Sequence, residues 1–374
     1  MSIDLKGIVP DWIRSLAPYP PGKPIEELER EYHIFDSIKL ASNENPLGPS
    51  PKAIAAIAAA LSSLHRYPDG NCFYLKRALA KKLGISPEAL IFGNGSNEII
   101  ELAVRTFMQH GDEAVMADQA FIIYRLVVQA AGGTSRLVPL RHYTHDLEAI
   151  ADAMTPATRM VFLANPNNPT GTIFFRRAWE EFLAAVPPRV IIVMDEAYFE
   201  FVDDPEYPDS LAAQGKGRPL ITLRTFSKIY GLAGLRIGFG VADPVLIEVM
   251  NRVRQPFNVS SLAQVAVLAA LDDTEHVERT RRCNREGMAY LRTQCERLGL
   301  ECVPSWANFV LVGVGNGVRV YEALLREGVI VRPMSVYGFP EHVRITVGTA
   351  AENERCIAAL AHVLRGGATS AAAF

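Results

Sequence analysis

The chain has 374 residues, 49% of them hydrophobic and 21% charged, the balance of a globular protein with a large core. Single cores stop growing at roughly 250–300 residues, so more than one domain is expected. A formal charge of −3 leaves no footprint for nucleic acid or an anionic membrane surface. In chain order, the first part is rich in proline and turn residues (Pro18, Pro20, Pro21, Gly22, Pro24, then Asn45-Pro46-Leu47-Gly48-Pro49). It reads as an extended arm lying on other structure. A helix of Ala, Ile and Leu follows, from Pro51 to Leu64. Short apolar strands are then predicted over 90–92, 113–117, 159–164, 190–194, 220–223 and 237–241, with helices between them, among them 97–108 and 177–185. Alternation of this kind predicts an α/β fold with a mostly parallel sheet between helices. After Pro256 the texture changes to a helix ending near 271, a charged helix over 275–298, short strands over 309–312, 329–331 and 342–347, and a final helix. This reads as a smaller α+β domain. The expected division is therefore an arm over 1–46, a large domain over 47–255 and a small domain over 256–374, with the alanine-rich tail 366–374 frayed. Five scattered cysteines without a CxxC pair suggest a reducing compartment. The start, Met1-Ser2-Ile3-Asp4, lacks the pattern of a signal peptide, and no run of about 18 apolar residues is present. The expected location is the cytoplasm.

Five stretches carry chemistry. Gly93-Asn94-Gly95-Ser96-Asn97 follows a strand and opens a helix, a turn that presents N–H groups and a positive dipole end to a phosphate. Position 98 is Glu98 rather than glycine, so a single phosphate fits better than a dinucleotide. Asn165-Pro166-Asn167-Asn168-Pro169 ends another strand, where Asn168 could offer its amide to a ligand or serve the turn alone. Asp195 ends the strand before Glu196-Ala197-Tyr198, either as a ligand for a protonated ring nitrogen or as a helix cap. Thr225-Phe226-Ser227-Lys228 with Arg236 places an amine beside two hydroxyls and a guanidinium. Such an amine can condense with an aldehyde while its neighbours hold a dianionic phosphate. Desolvation and a neighbouring cation would both lower its pKa. Arg344 lies inside an apolar strand and calls for a carboxylate, from protein or ligand. Arg332 is a second inward cation or a solvated edge residue. Phe121 could stack on a planar ring or belong to the core.

Together these stretches resemble the class I/II, fold-type I pyridoxal-phosphate aminotransferases, and within them the histidinol-phosphate branch. The motifs Ala41-Ser42-Asn43-Glu44-Asn45-Pro46, Arg66-Tyr67-Pro68-Asp69-Gly70, Ala307-Asn308-Phe309 and Arg344-Ile345-Thr346-Val347-Gly348 join those above in one order. The resemblance implies pyridoxal 5′-phosphate as cofactor and no metal. It implies Lys228 as the lysine that holds the cofactor and shuttles the transferred proton. Asp195 becomes the partner of the pyridine nitrogen, Asn168 and Tyr198 the contacts of the phenolic oxygen, and Phe121 the stacking residue. Ser96, Asn97, Thr225, Ser227 and Arg236 become the phosphate cup. Tyr67 would reach the cofactor phosphate of a neighbouring subunit, which implies a homodimer. Tyr19, Asn45, Arg332 and Arg344 would bind substrate, with Arg344 on a carboxylate and Tyr19 and Arg332 on a distal phosphate. Glutamate and imidazole-acetol phosphate are the implied substrates. There are two departures: Phe121 stands where that branch usually has tyrosine, so a hydroxyl is lost, and the segment Pro333-Met334-Ser335-Val336-Tyr337-Gly338-Phe339-Pro340 resembles the branch that also contains aromatic aminotransferases, whose pocket would accept phenylalanine or tyrosine. A third possibility on the same scaffold is a decarboxylase of phosphorylated amino acids.

Overall fold

The computed structural model describes residues 6–370. Met1-Ser2-Ile3-Asp4 and the last four residues of the alanine-rich tail lie outside the described residues. Seven strands form the main sheet, in the order Leu90–Gly93, Gly238–Val241, Leu220–Thr225, Ile191–Asp195, Thr158–Ala164, Glu113–Ala117, Thr134–Val138. Gly238–Val241 runs antiparallel to both neighbours, and every other pairing is parallel. The central strands are continuous apolar runs because both faces are covered. Phe162 and Val193 point into a core with helices Ser96–Phe107, Ile123–Ala130 and Pro244–Val253. Their chain neighbours Val161, Leu163, Ile192 and Met194 point the other way, against Leu147–Asp152 and Arg176–Ala185. The strand Thr134–Val138 is absent from the sequence expectation. It is an edge strand whose Thr134, Arg136 and Leu137 are exposed, so it carries no apolar signal.

A second sheet holds Arg332–Pro333, His342–Thr346 and Phe309–Gly313, all antiparallel. Helices Thr274–Arg297, Gly317–Arg326 and Ala350–Ser370 accompany it, the last continuing into the tail expected to fray. Helix Ser261–Ala270, which composition groups with this smaller unit, packs instead on Pro51–Ala60 and Phe73–Leu83. Its Ala263, Ala266 and Val267 share a core with Phe92, Phe226 and Phe239 of the main-sheet side.

The N-terminal segment is less extended than its prolines suggest. Helix Ile25–Tyr32 buries Leu28 against Leu325 and Ile330. Ile38–Lys39 then pairs in parallel with Val329–Ile330, and Leu40 O accepts from Thr346 N–H at 2.8 Å. The chain thus runs along the second sheet and turns at Asn45–Gly48 (Gly48 N–H to Asn45 O, 3.1 Å) onto the loop after Leu220–Thr225. The contact there is close. Gly231 has φ +68, and a Cβ on it would lie 2.1 Å from Gly48 O.

Gly231→Ala should therefore cost stability twice, through backbone conformation and through steric overlap. Gly299 shares a positive φ (+70) but has open space around it. In urea unfolding, Gly231→Ala is expected to lower the unfolding free energy by about 1–3 kcal/mol more than Gly299→Ala. Equal losses would mean that the turn simply moves aside.

Candidate active site

The strands Leu90–Gly93, Thr158–Ala164, Ile191–Asp195 and Leu220–Thr225 end at one edge of the sheet, where open α/β sheets bind ligands. A cavity of about 390 Å³ lies there, closed by the N-terminal segment and by strand residues of the second sheet. It gathers Ser96, Asn97, Phe121, Asn168, Asp195, Tyr198, Thr225, Ser227, Lys228 and Arg236 with Tyr19, Arg332 and Arg344.

Lys228 sits just past the strand end. Its Nζ donates to Ser42 O at 3.4 Å and lies 5.7 Å from the Tyr198 ring centre. Burial chiefly, then the charges of Arg344 and Arg236, lowers its pKa to about 8, against the opposing pull of Glu44 and Asp195. A sizeable fraction of the amine is therefore neutral near pH 8, where an ordinary lysine is protonated. Asp195 is buried, and its Oδ2 accepts from Tyr124 Oη at 2.7 Å while Oδ1 accepts from Ala197 N–H at 3.1 Å. It caps no α-helix. Burial pushes its carboxyl up, and the bonds from Tyr124 and Ala197 and the charge of Lys228 hold it down. Tyr124 stacks on Phe162 with ring centres 4.9 Å apart. Sequence reading passed over it for Phe121, because an aromatic at a helix start gives no sign of where its hydroxyl points. Phe121 both packs on the core and lines the cavity.

The phosphate features converge. Helix Ser96–Phe107 starts without a side-chain cap, so its first N–H groups are left for a ligand. Gly95 (φ +77) lets Arg236 approach, since a Cβ there would meet Arg236 Nη2 at 2.7 Å. Gly238 lets the start of that helix approach its strand, since its Cβ would meet Ser96 N at 2.4 Å. Uncapped N–H groups, the Arg236 guanidinium and the hydroxyls of Ser96, Thr225 and Ser227 surround a cradle that side chains would fill. This donor set suits a phosphate dianion.

Arg332 and Arg344 are opposite each other on adjacent strands, and both are buried. Arg332 is therefore no solvated edge residue. Arg344 Nη1 donates to Asn168 Oδ1, its Nη2 donates to Ala41 O at 2.8 Å, and its Nε has no partner. Arg332 Nη2 donates to Pro20 O at 2.6 Å, and its guanidinium lies 5.7 Å from the Tyr19 ring centre. Neither forms an ion pair with a carboxylate among the described residues. By contrast, buried Arg224 is paired with Glu196 at 2.8 Å and Asp209 at 2.9 Å.

One expected substrate residue lies elsewhere. Asn45 does not line the cavity: its Nδ2 donates to Ile229 O (2.9 Å) and Thr280 Oγ1 (3.1 Å), and its Oδ1 accepts from Leu47 N–H (3.0 Å). All its polar atoms are used in bracing three segments, so it has none to offer a substrate. Tyr67 is also outside the cavity, 85% exposed and stacked on Phe257. Asn43, unremarked in the motif, does line it, and its Nδ2 donates to Tyr198 Oη at 2.8 Å. Of the three asparagines in the Asn-Pro stretch only Asn168 lines the cavity, because Asn165 and Asn167 are buried in hydrogen bonds to Phe174, Gln119 and Thr170. Both Asn165-Pro166 and Asn168-Pro169 are cis.

Residues 36–360 match the family described as aminotransferase class I and II. The chain is 53% identical to a histidinol-phosphate aminotransferase of Moorella thermoacetica, over 94% of this chain and 92% of that one. It is 52% identical to histidinol-phosphate aminotransferase 1 of Nitrosococcus oceani, over 94% and 95%. Among solved structures it is similar to the histidinol-phosphate aminotransferase of Sinorhizobium meliloti in complex with pyridoxal-5′-phosphate. That likeness has a TM-score of 0.89 and 29% identity, and covers 95% and 97% of the two chains. A match of this extent, on a fold whose strand ends gather the lysine, the aspartate and the phosphate cradle in one cavity, makes the chain a member of the class I and II aminotransferases.

Proposed function

We propose that the protein transfers an amino group between glutamate and imidazole-acetol phosphate, giving histidinol phosphate and 2-oxoglutarate in histidine biosynthesis. The observation that carries this reading is the pair of buried arginines, Arg332 and Arg344, without a carboxylate partner in the cavity that holds Lys228. Two unpaired buried cations call for a strongly anionic ligand, and both substrates are one: glutamate brings two carboxylates, and histidinol phosphate, which has no carboxylate, brings a phosphate dianion. The relatives named above support the same substrate.

Pyridoxal phosphate, when bound, supplies the electron sink that makes the substrate's α-proton removable. Ser96, Asn97, Thr225, Ser227 and Arg236 hold its phosphate. Asp195, oriented by Tyr124 and Ala197, keeps its ring nitrogen protonated. Asn168 and Tyr198 serve the phenolic oxygen, and Phe121 covers the ring. Lys228 provides the covalent anchor and, once displaced by substrate, an amine basic enough to take a proton and acidic enough to return it. Arg344 takes the α-carboxylate of glutamate, while Arg332 and Tyr19 take the phosphate of histidinol phosphate. A cytoplasmic location belongs to the same reading, supported by five free cysteines; among the described residues no helix is long and apolar enough to cross a membrane.

A homodimer is the assembly we infer. Tyr67, Phe73, Tyr74, Phe257, Leu61 and Leu64 are all exposed, a density of apolar side chains that marks an interaction surface. A second copy covering them would bring Tyr67 to its neighbour's phosphate cradle.

Three measurements test this. In the cofactor-free protein, capture of pyridoxal phosphate needs the neutral amine of Lys228. Its rate should rise with pH through a midpoint at about 8 and then level off; a rate still climbing toward pH 10 would refute the lowered lysine. In single turnover, histidinol phosphate should bleach the bound cofactor's absorbance faster than phenylalanine does, and Arg332→Ala should raise KM for histidinol phosphate by roughly 10- to 100-fold, as for loss of a buried charged partner. Faster reaction with phenylalanine would move the protein to the aromatic aminotransferases, and carbon dioxide release to the decarboxylases. Light scattering should give twice the chain mass, and Tyr67→Phe should weaken cofactor binding by roughly tenfold without changing that mass. A monomer that binds cofactor normally would remove the interface.

A further inference from the structure

The hydrogen bonds behind Tyr198 fix the direction of its phenolic proton. Tyr198 is buried in the cavity wall, and its oxygen lies 2.8 Å from Asn43 Nδ2. The two ends of an asparagine amide have similar shapes, so the neighbours decide which end faces which way. Here Thr346 decides. Its Oγ1 accepts from the backbone N–H of Asn43 at 2.9 Å, and its one proton goes to Asn43 Oδ1 at 3.2 Å. The acceptor end of the amide is thereby occupied, and the N–H end must face Tyr198. The tyrosine oxygen accepts from Asn43 and keeps its own proton. That proton has no acceptor among the described residues other than what enters the cavity.

The segment carrying Asn43 is held firmly enough to impose this direction. Asn43 O accepts from Asn308 Nδ2 at 3.1 Å, and Ala41 O accepts from Arg344 Nη2 at 2.8 Å. Asn43 itself has φ 55, in the left-handed region that asparagine and aspartate tolerate. Thr346 and Arg344 belong to one strand, His342–Thr346. The strand proposed to grip the substrate carboxylate therefore also sets the tyrosine's proton.

We propose that Asn43 and Thr346 are positioning residues for transamination, which lock Tyr198 as a hydrogen-bond donor into the cavity, toward the cofactor's phenolic oxygen. This rests on the cofactor placement proposed above. The protonation state agrees with it: burial pushes the phenol up to about 12, despite the opposing charge of Arg344, so the proton is present at neutral pH.

Asn43→Asp tests the direction. It keeps the size and tolerates the backbone, but offers Tyr198 an acceptor and turns the proton away from the cavity. In the holoenzyme without substrate, the pH midpoint of the bound cofactor's absorbance change should rise by about one unit, because a donor that stabilises the ionised phenolic oxygen is lost. With substrate, kcat should fall by roughly 10- to 100-fold and KM should stay within about threefold of the wild-type value, as expected when no substrate contact is removed. In a Tyr198→Phe background the same substitution should shift the midpoint by clearly less, only by the charge of the added carboxylate, since there is no proton to turn. Thr346→Val, which frees the amide to flip, should shift the midpoint in the same direction, and Thr346→Ser should return it to the wild-type value. An unchanged midpoint in Asn43→Asp, or an equal shift with and without the Tyr198 hydroxyl, would overturn the proposal. Should Asn43→Asp fail to fold, the Thr346 pair decides alone: equal midpoints in Thr346→Val and Thr346→Ser would also overturn it. These midpoints are read without substrate, so a protein that binds the cofactor yet ignores histidinol phosphate would refute the function and leave this inference intact.

Discussion

Two arginines are buried and a lysine is half-buried in one cavity, and among the described residues none of the three forms an ion pair. Lys228, Arg332 and Arg344 give up water and receive only carbonyl and amide oxygens in return: Ser42 O, Pro20 O, Ala41 O and Asn168 Oδ1. Desolvating a charge costs several kcal/mol unless it is compensated, so the free protein holds this arrangement at a loss. The cost takes two forms. The lysine's pKa falls to about 8, which leaves part of the amine neutral, the form that can act as a nucleophile. The arginines remain charged and become a site for anions. Elsewhere in the same fold Arg224 is buried with Glu196 and Asp209 against it, which shows what the chain does with a cation whose role is structural.

The scaffold tolerates this because the strand ends beneath the cavity are rigid. Each residue from Met160 to Ala164 and from Ile191 to Asp195 is buried, and the two strands are in register, Ala164 beside Asp195. The last side chain of each strand is thus placed by a packed sheet rather than by a mobile loop. Two glycines let backbones touch there: Gly231 against Gly48, and Gly238 against the start of helix Ser96–Phe107.

The other wall of the cavity comes from residues 40–45, far from the sheet in sequence. This segment hydrogen-bonds to strand His342–Thr346 through Leu40, Ala41 and Asn43. It touches Lys228 through Ser42 and Tyr198 through Asn43. Asn45 braces its far end to Ile229 and Thr280. Strand His342–Thr346, the tyrosine and the lysine are consequently linked through one short stretch of chain.

Much of this was legible in the sequence. Apolar runs between helices defined the parallel sheet, because burial on both faces leaves no polar alternation to confuse the pattern. The positions of Asp195, Asn168 and Lys228 followed, since each comes directly after such a run. The edge strand Thr134–Val138 was not legible, because exposure erases the pattern. Nor was the packing of helix Ser261–Ala270, because an alanine-rich helix fits either core. Asn43 and Asn45 show the limit most plainly. They have the same residue type, sit two positions apart in one motif, and differ in role because one faces Tyr198 and the other faces Ile229 and Thr280. The sequence by itself determined the elements and the chemical groups at their ends, since periodicity and residue type are local properties. Only the tertiary structure decided which of those groups share a cavity, which are spent on bracing, and which way the Tyr198 proton points, since these depend on hydrogen-bond partners hundreds of residues away along the chain.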